Sequence, residues 1–208
     1  MRLKNYPMIQ FSFFLPQACI LLLASDSLTN ILALHHLLAN YSVKQRMLVL
    51  LRESFFAFIA MFALYGLALG GLKVLNTPVC AIEVVGGIAV TLAGVRAVLR
   101  LGKEESWIPY KFNMSPSHSP CISPIALPLM FGPSWLAACC TLIARNHNTL
   151  INFQILILSW LLITLATFSL QIFCKGNKVL LATQTVLGLF VTIVGTQLLV
   201  SGLQQAFL

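Results

Sequence analysis

Long runs of apolar residues restrict what this chain can fold into more than any other feature. A helix that spans a bilayer needs roughly 20 mostly apolar residues. Only 9% of the residues are charged and the mean hydropathy is +0.91, whereas soluble domains carry about 25% charged residues. The sequence therefore predicts one all-α integral membrane domain over residues 1–208, with six transmembrane helices near residues 8–38, 48–72, 78–100, 121–144, 150–174 and 180–204.

The fourth apolar segment contains residues that disrupt helices. Residues 123–140 include three prolines and one glycine among otherwise apolar side chains. Proline removes a backbone donor and clashes with the preceding helical turn. Broken backbone survives at membrane depth only where protein buries it or where it lines a wet cavity. The fourth span is therefore predicted to be broken or kinked near Pro128, Gly132 and Pro133.

An internal repeat relates the two halves of the chain. Residues 87–96 and 188–197 share the pattern Gly-x-x-Val-Thr-x-x-Gly at a shift of 101 residues, although small-residue helices can also match by chance. The repeat predicts halves 1–100 and 120–208 with three spans each, joined by a loop at 101–119. Because three is odd, the second half is predicted to cross the membrane inverted, as in many transporters.

The glycines of the third and sixth spans are predicted to pack helices together. Small residues let helix backbones approach closely in a membrane. Packing accounts for them fully, so none is predicted to bind a ligand. The set consists of Gly87, Gly94, Gly188, Gly195 and Gly202.

A polar hexapeptide in the first span is the candidate half of a binding site. Residues 25–30 hold Asp26, a carboxylate that costs about 2.5–3.5 kcal/mol at the centre of a membrane helix. The repeat shift sets residues 24–29 opposite the start of the broken fourth span, so the first span is also predicted to be broken. The alternative is a helix end at the interface, capped by Asp26 or Ser27. The candidate substrate-binding residues are Asp26, Thr29, Asn30, Pro128, Gly132, Pro133 and Ser134.

Catalysis, metal binding and cofactors are not predicted. The six cysteines form no Cys-x-x-Cys pair, and there is no nucleophile elbow, zinc-protease helix or phosphate-binding loop. Glu83 either lines an outer vestibule or caps the helix that follows Pro78.

The positive charge is interpreted as a topology signal. The net charge is +8, which could attract nucleic acid, but basic residues in membrane loops set orientation. Most of the 13 lysines and arginines follow spans 1, 3 and 5, so those loops are predicted to be cytoplasmic and both termini periplasmic. Residues 1–25 also resemble a signal peptide, but the apolar run continues beyond them.

Three sequence blocks resemble the MarC family (UPF0056) of multi-pass inner-membrane proteins. These are residues 25–29, residues 85–96 with their Gly-Gly and Gly-x-Arg, and residues 124–133, which match a Pro-Leu-Ala-x-Pro-x-x-x-Gly-Pro pattern. The resemblance implies a three-plus-three plan similar to LysE-type exporters, and it implies transport of small neutral amino acids, which is described for some members.

The chain departs from the family pattern at four positions. Ser27 replaces a proline, Ser134 replaces a glycine, and Glu83 and Thr185 stand where arginine is frequent. The expectation is a bacterial inner-membrane protein, embedded in the lipid bilayer, that moves a small solute and forms a homo-oligomer. The alternative is a non-transporting assembly or partner-binding membrane protein.

Overall fold

The described part of the chain is helical and contains six α-helices. The computed structural model describes residues 7–25, 35, 38, 42–99, 131–146, 148–173 and 177–207. The helices are α1 (Pro7–Ala24), α2 (Val43–Leu75), α3 (Val79–Leu99), α4 (Pro133–Arg145), α5 (Thr149–Phe173) and α6 (Asn177–Phe207). No strand is present in these ranges.

Four helices are long and apolar enough to cross a membrane, which confirms the prediction of an all-α membrane protein. The candidate spans are Val43–Leu75, Val79–Leu99, Thr149–Gln171 and Val179–Phe207. They correspond to the predicted second, third, fifth and sixth spans.

The predicted first and fourth spans are described only in part. Helix α1 ends at Ala24, and Ser25 donates from both its backbone and its hydroxyl to the carbonyl of Leu22, at 3.2 and 2.7 Å. Helix α4 has 13 residues and starts at Pro133. Residues 26–34 and 100–130, and with them the predicted breaks at Asp26–Asn30 and Pro128, lie outside the described residues.

Local signals explain where α2 begins and ends. The Ser42 hydroxyl accepts from the Gln45 backbone, and the Gln45 side chain accepts from the Ser42 backbone, which forms a capping box. At the other end Asn76 takes a left-handed conformation with φ 44°, and Pro78 precedes α3. The 33 residues between these caps span about 50 Å at 1.5 Å per residue, so α2 is longer than the hydrocarbon core.

Helices α3 and α6 form the most extensive helix–helix contact, and they run antiparallel. Gly202 near the end of α6 faces Val84 near the start of α3, whereas Gly188 faces Ala97. A Cβ atom at any of five glycines would lie within 3.0 Å of the opposite helix, a distance that real Cβ atoms essentially never show. These are the five glycines to which the sequence assigns a packing role: Gly87, Gly94, Gly188, Gly195 and Gly202.

Helix α4 occupies the centre of the described structure, because it contacts α1, α2 and α3. Its Trp135 is fully buried and packs with Phe131 at a ring-centroid distance of 4.6 Å. Helix α1 packs mainly against α5. One apolar cluster contains buried side chains from all of these elements, including Leu21, Met61, Trp135 and Ile155.

Candidate functional site

The end of α1 meets the start of α4 inside the protein. The hydroxyl of Ser134 donates a hydrogen bond of 2.8 Å to the backbone carbonyl of Ala24. Both residues are almost completely buried. The contact joins positions 110 residues apart and places Ser134, a predicted site residue, against the last residue of α1, which directly precedes the polar residues 25–30 in the sequence.

Local sequence explains the start of α4. Gly132 is the N-cap in an extended conformation with no side-chain cap, and Pro133 follows at the first helical position, where its missing N–H costs nothing. The backbone N–H of Leu136 donates to the carbonyl of Gly132 at 3.1 Å. The N–H groups before Leu136 have no acceptor within the helix, so this end of α4 presents donors and a partial positive charge.

Part of the predicted site is placed by the structure and part is not. Gly132, Pro133 and Ser134 lie at the start of α4, and Ser134 contacts the end of α1. The remaining candidates, Asp26, Thr29, Asn30 and Pro128, are outside the described residues.

Trp135 adds a polar group that the sequence did not single out. Its indole Nε1 is buried and has no hydrogen-bond partner within the described part of the chain. A buried donor without an acceptor costs about 1–3 kcal/mol. Trp135 is the third residue of α4, so a hydrogen-bond acceptor bound at the start of this helix would lie close to this residue.

A second polar cluster, here called the Glu83 network, joins α3, α4 and α6. The Arg145 Nε donates to Glu83 Oε1 at 2.6 Å, and the Ser201 hydroxyl donates to Glu83 Oε2 at 2.8 Å. Another Arg145 nitrogen donates to the Ser201 hydroxyl at 3.0 Å, and Gln205 approaches Glu83 Oε1 at 3.5 Å. The side chain of Glu83 is 0% exposed and that of Arg145 is 41% exposed.

Both interpretations of Glu83 from the sequence are wrong. A fully buried carboxylate does not line an open vestibule, and its hydrogen bonds go to α4 and α6 rather than to the start of its own helix. The sequence could not indicate this pair, because Glu83 and Arg145 are 62 residues apart and meet only through helix packing.

A third cluster, here called the Asn152 network, ties the end of α4 to three other helices. The Asn146 side chain donates to Gln17 Oε1 at 2.9 Å. The amide of Asn152, on α5, donates to the Asn146 carbonyl at 3.0 Å and lies 3.5 Å from the Tyr65 hydroxyl on α2. The Glu83 network and the Asn152 network therefore both hold the end of α4 by polar contacts.

Glu53 is a buried carboxylate that the sequence analysis overlooked. It lies in the α2 span, is 1% exposed, and pairs with Arg52 at 2.8 Å. Its Oε2 has no hydrogen-bond partner within the described ranges. A charged residue in an otherwise apolar run was the signal that could have identified it.

An open groove runs along α6, and the residues that line it all belong to this helix. It is lined by polar and apolar side chains, namely Thr192, Ile193, Thr196, Gln197, Val200, Ser201 and Gln204. The Thr192 and Thr196 hydroxyls donate to carbonyls of their own helix. Within the described residues, no three histidine, cysteine or acidic side chains are grouped so that they could hold a metal ion.

Comparison with known proteins gives one consistent family. A family model described as MarC family integral membrane protein matches residues 11–207. A UPF0056 membrane protein of Buchnera aphidicola subsp. Acyrthosiphon pisum is 27% identical over 194 residues, covering 90% of this chain and 94% of the relative. The UPF0056 inner membrane protein YhgN of Escherichia coli is 25% identical over 191 residues, with the same two coverages. No solved structure matches the chain.

Proposed function

The chain belongs to the MarC family of integral membrane proteins, and on that basis we propose that it moves a small solute across the bacterial inner membrane by alternating access. The solute binds where the end of α1 meets the start of α4. The observation that carries this proposal is the buried hydrogen bond of 2.8 Å from Ser134 to the carbonyl of Ala24, because it sets the start of α4 against the end of α1, which directly precedes the polar residues 25–30 in the sequence.

The chemistry of this place suits a small zwitterion such as a neutral amino acid. The start of α4 offers backbone N–H donors that have no acceptor within their own helix, and a positive partial charge, both of which favour a carboxylate. Asp26 follows Ala24 by two positions in the chain, and its carboxylate would receive the ammonium group. Broken helices whose ends point at the substrate are the plan of many secondary transporters. No chemical conversion of the solute is part of the proposal.

The contacts between α3 and α6 support the inverted repeat that alternating access uses. Under the shift of 101 residues, Thr91 corresponds to Thr192 and Gly94 corresponds to Gly195. Gly94 faces Thr192, and Gly195 faces Thr91. The contact pattern is therefore unchanged when the two halves are exchanged, as a two-fold axis in the membrane plane requires.

A second pair of contacts follows the same exchange. Gly87 faces Leu199, and its counterpart Gly188 lies against Val98. Together with the antiparallel direction of the helices, this supports two halves of three spans each, the second inverted. The distribution of basic residues supports periplasmic termini.

Transport assays in proteoliposomes test the proposal. Purified protein is assayed for counterflow of labelled small neutral amino acids, with Asp26→Asn and Ser134→Ala as variants. Both changes are expected to reduce the rate by tenfold or more. Ser169→Ala is the matched control, because the Ser169 hydroxyl donates to the Leu165 carbonyl of its own helix at 2.7 Å. A protein that shows no counterflow, or whose counterflow ignores both site variants, would contradict the proposal.

The α6 groove favours a second function, binding of another membrane protein or of a second copy of this chain. Gln197 and Gln204 are exposed in this groove within an apolar span, and amide side chains hydrogen-bond between membrane helices. Co-purification of a stoichiometric partner that is lost on Gln197→Leu, without any solute-dependent stabilisation, would favour this function over transport.

A further inference from the structure

The Glu83 network ties together three helices. Glu83 lies on α3, Arg145 is the last residue of α4, and Ser201 lies on α6. Each carboxylate oxygen of Glu83 accepts a hydrogen bond from a different helix, Oε1 from Arg145 and Oε2 from Ser201. Carboxylates in membrane spans are costly and are almost always paired with another group.

Helix α4 connects this network to the proposed solute site. Ser134, at its start, contacts Ala24, and Arg145, at its end, contacts Glu83. At 1.5 Å per residue the two ends are about 16 Å apart, roughly half of a hydrocarbon core of about 30 Å. If the site lies near mid-membrane, the Glu83 network therefore lies at one membrane face.

The network divides into a part that stays together and a part that can separate. Glu83 and Ser201 lie on α3 and α6, whose backbones are in direct contact at Gly87, Gly94, Gly195 and Gly202. Arg145 alone comes from α4. When α4 moves away, the carboxylate keeps its Ser201 donor, and the guanidinium, already 41% exposed, becomes hydrated.

We propose that the Glu83–Arg145 ion pair is the latch that closes the solute path at the end of the protein next to the α4–α5 turn. This inference rests on the proposed transport function. Opening of the path at this end separates Arg145 from Glu83 and moves the end of α4 away from α3 and α6. The Asn152 network, which includes Asn146 directly after Arg145, holds the same end of α4 to α1, α2 and α5.

Thr141→Cys provides a reporter for the state of the latch. Thr141 lies on α4 between Ser134 and Arg145, is 3% exposed, and faces α3, because a Cβ atom at Gly86 would lie 3.0 Å from its methyl group. In a chain whose six native cysteines are replaced by serine or alanine, this introduced cysteine alone can react with a water-soluble maleimide. The protein is held in lipid nanodiscs, so that both faces are accessible and no solute is needed.

The labelling rate tests the proposal. Glu83→Gln and Arg145→Gln are each expected to raise the rate of labelling at position 141 at least tenfold. The matched control is Glu53→Gln, which breaks the Arg52–Glu53 pair; both of those residues lie on α2, so the pair joins no two helices, and labelling is expected to stay unchanged. Unchanged labelling in both latch variants, or an equal rise in the control, would overturn the proposal.

A second experiment covers the case in which the charge-neutral variants do not fold. Arg145→Cys and Ser201→Cys are introduced together, and a flexible bis-thiosulfonate reagent links the two new thiols. The reagent is chosen to be about as long as the arginine side chain that was removed. The cross-link is expected to suppress labelling at position 141 under all conditions and to stop solute counterflow, which returns on reduction. Counterflow that continues through the cross-linked protein would overturn the latch while leaving the transport proposal intact. Labelling that follows the latch in a protein without counterflow would contradict only the transport proposal.

Discussion

Ser134 donates its hydroxyl proton to the backbone carbonyl of Ala24 across 2.8 Å, and both residues are almost completely buried. The carbonyl belongs to the last helical residue of α1, where intrahelical donors have run out. The α4 side chain thus satisfies an acceptor that α1 cannot satisfy itself, which fixes the distance between the two helix ends.

Ser134→Ala is predicted to destabilise the protein by about 1–3 kcal/mol. The substitution leaves the buried Ala24 carbonyl without this donor, and an unsatisfied buried acceptor costs about that amount. Denaturant unfolding in mixed micelles measures the effect, with Ser169→Ala as the control for loss of a hydroxyl. Equal stabilities of the two variants would show that the buried contact contributes nothing.

Alanine at Gly94 or Gly195 is predicted to destabilise the α3–α6 contact by about 1–3 kcal/mol, the usual range for overpacking. At each position the new Cβ would collide with a backbone atom of the opposite helix, at Thr192 or Thr91. Alanine at Gly66 or Gly70, where nothing lies within 4 Å, is predicted to be neutral or to stabilise α2 by up to about 1 kcal/mol. Melting temperatures in detergent compare the two sets, and a similar loss at all four positions would refute the close contact.

Glu83 and Arg145 are predicted to show a coupling energy of about 1–3 kcal/mol in a double-mutant cycle with Glu83→Gln and Arg145→Gln. Removing one partner of a fully buried ion pair costs about 3–5 kcal/mol. Arg145 is 41% exposed, so solvent screening lowers the coupling energy toward the smaller energies that exposed ion pairs show. The cycle is measured by unfolding at low and high salt. Additive effects of the two changes would mean that the pair is energetically silent.

Glu53→Gln is predicted to be neutral or stabilising by about 1 kcal/mol, in contrast to Glu83→Gln. Glu53 is 1% exposed and one of its oxygens has no partner among the described residues, so the charge is poorly compensated and its removal relieves a desolvation cost. Comparison of the melting temperatures of the two variants checks the contrast. A larger loss at Glu53 than at Glu83 would indicate that Glu53 has a compensating partner.

Hydropathy predicted four of the spans well, but it missed features that depend on capping. The second span is predicted at 48–72, whereas α2 starts at Val43, because the capping box of Ser42 and Gln45 extends the helix beyond its apolar part. The serine and glutamine three positions apart were visible in the sequence. Hydropathy does not detect this capping pair, because both side chains are polar.

The candidate site was predictable only as two separate regions. Proline and glycine chemistry predicts a break near Pro128, Gly132 and Pro133; α4 begins at Pro133, and because residues 100–130 lie outside the described residues the break itself stays a prediction. The acceptor of Ser134 and the partner of Glu83 lie 110 and 62 residues away, so they depend on which helix faces pack together. Periodicity within one helix carries no information about that choice.

The glycine contact between α3 and α6 also limits where motion can occur. With backbone against backbone at four or more turns of each helix, neither helix can slide or rotate past the other without a collision. The two helices, one from each half of the chain, therefore behave as one rigid unit. Relative motion of the two halves must therefore occur between this pair and the helices packed on it, for example where Gly86 of α3 meets Ala137 and Thr141 of α4.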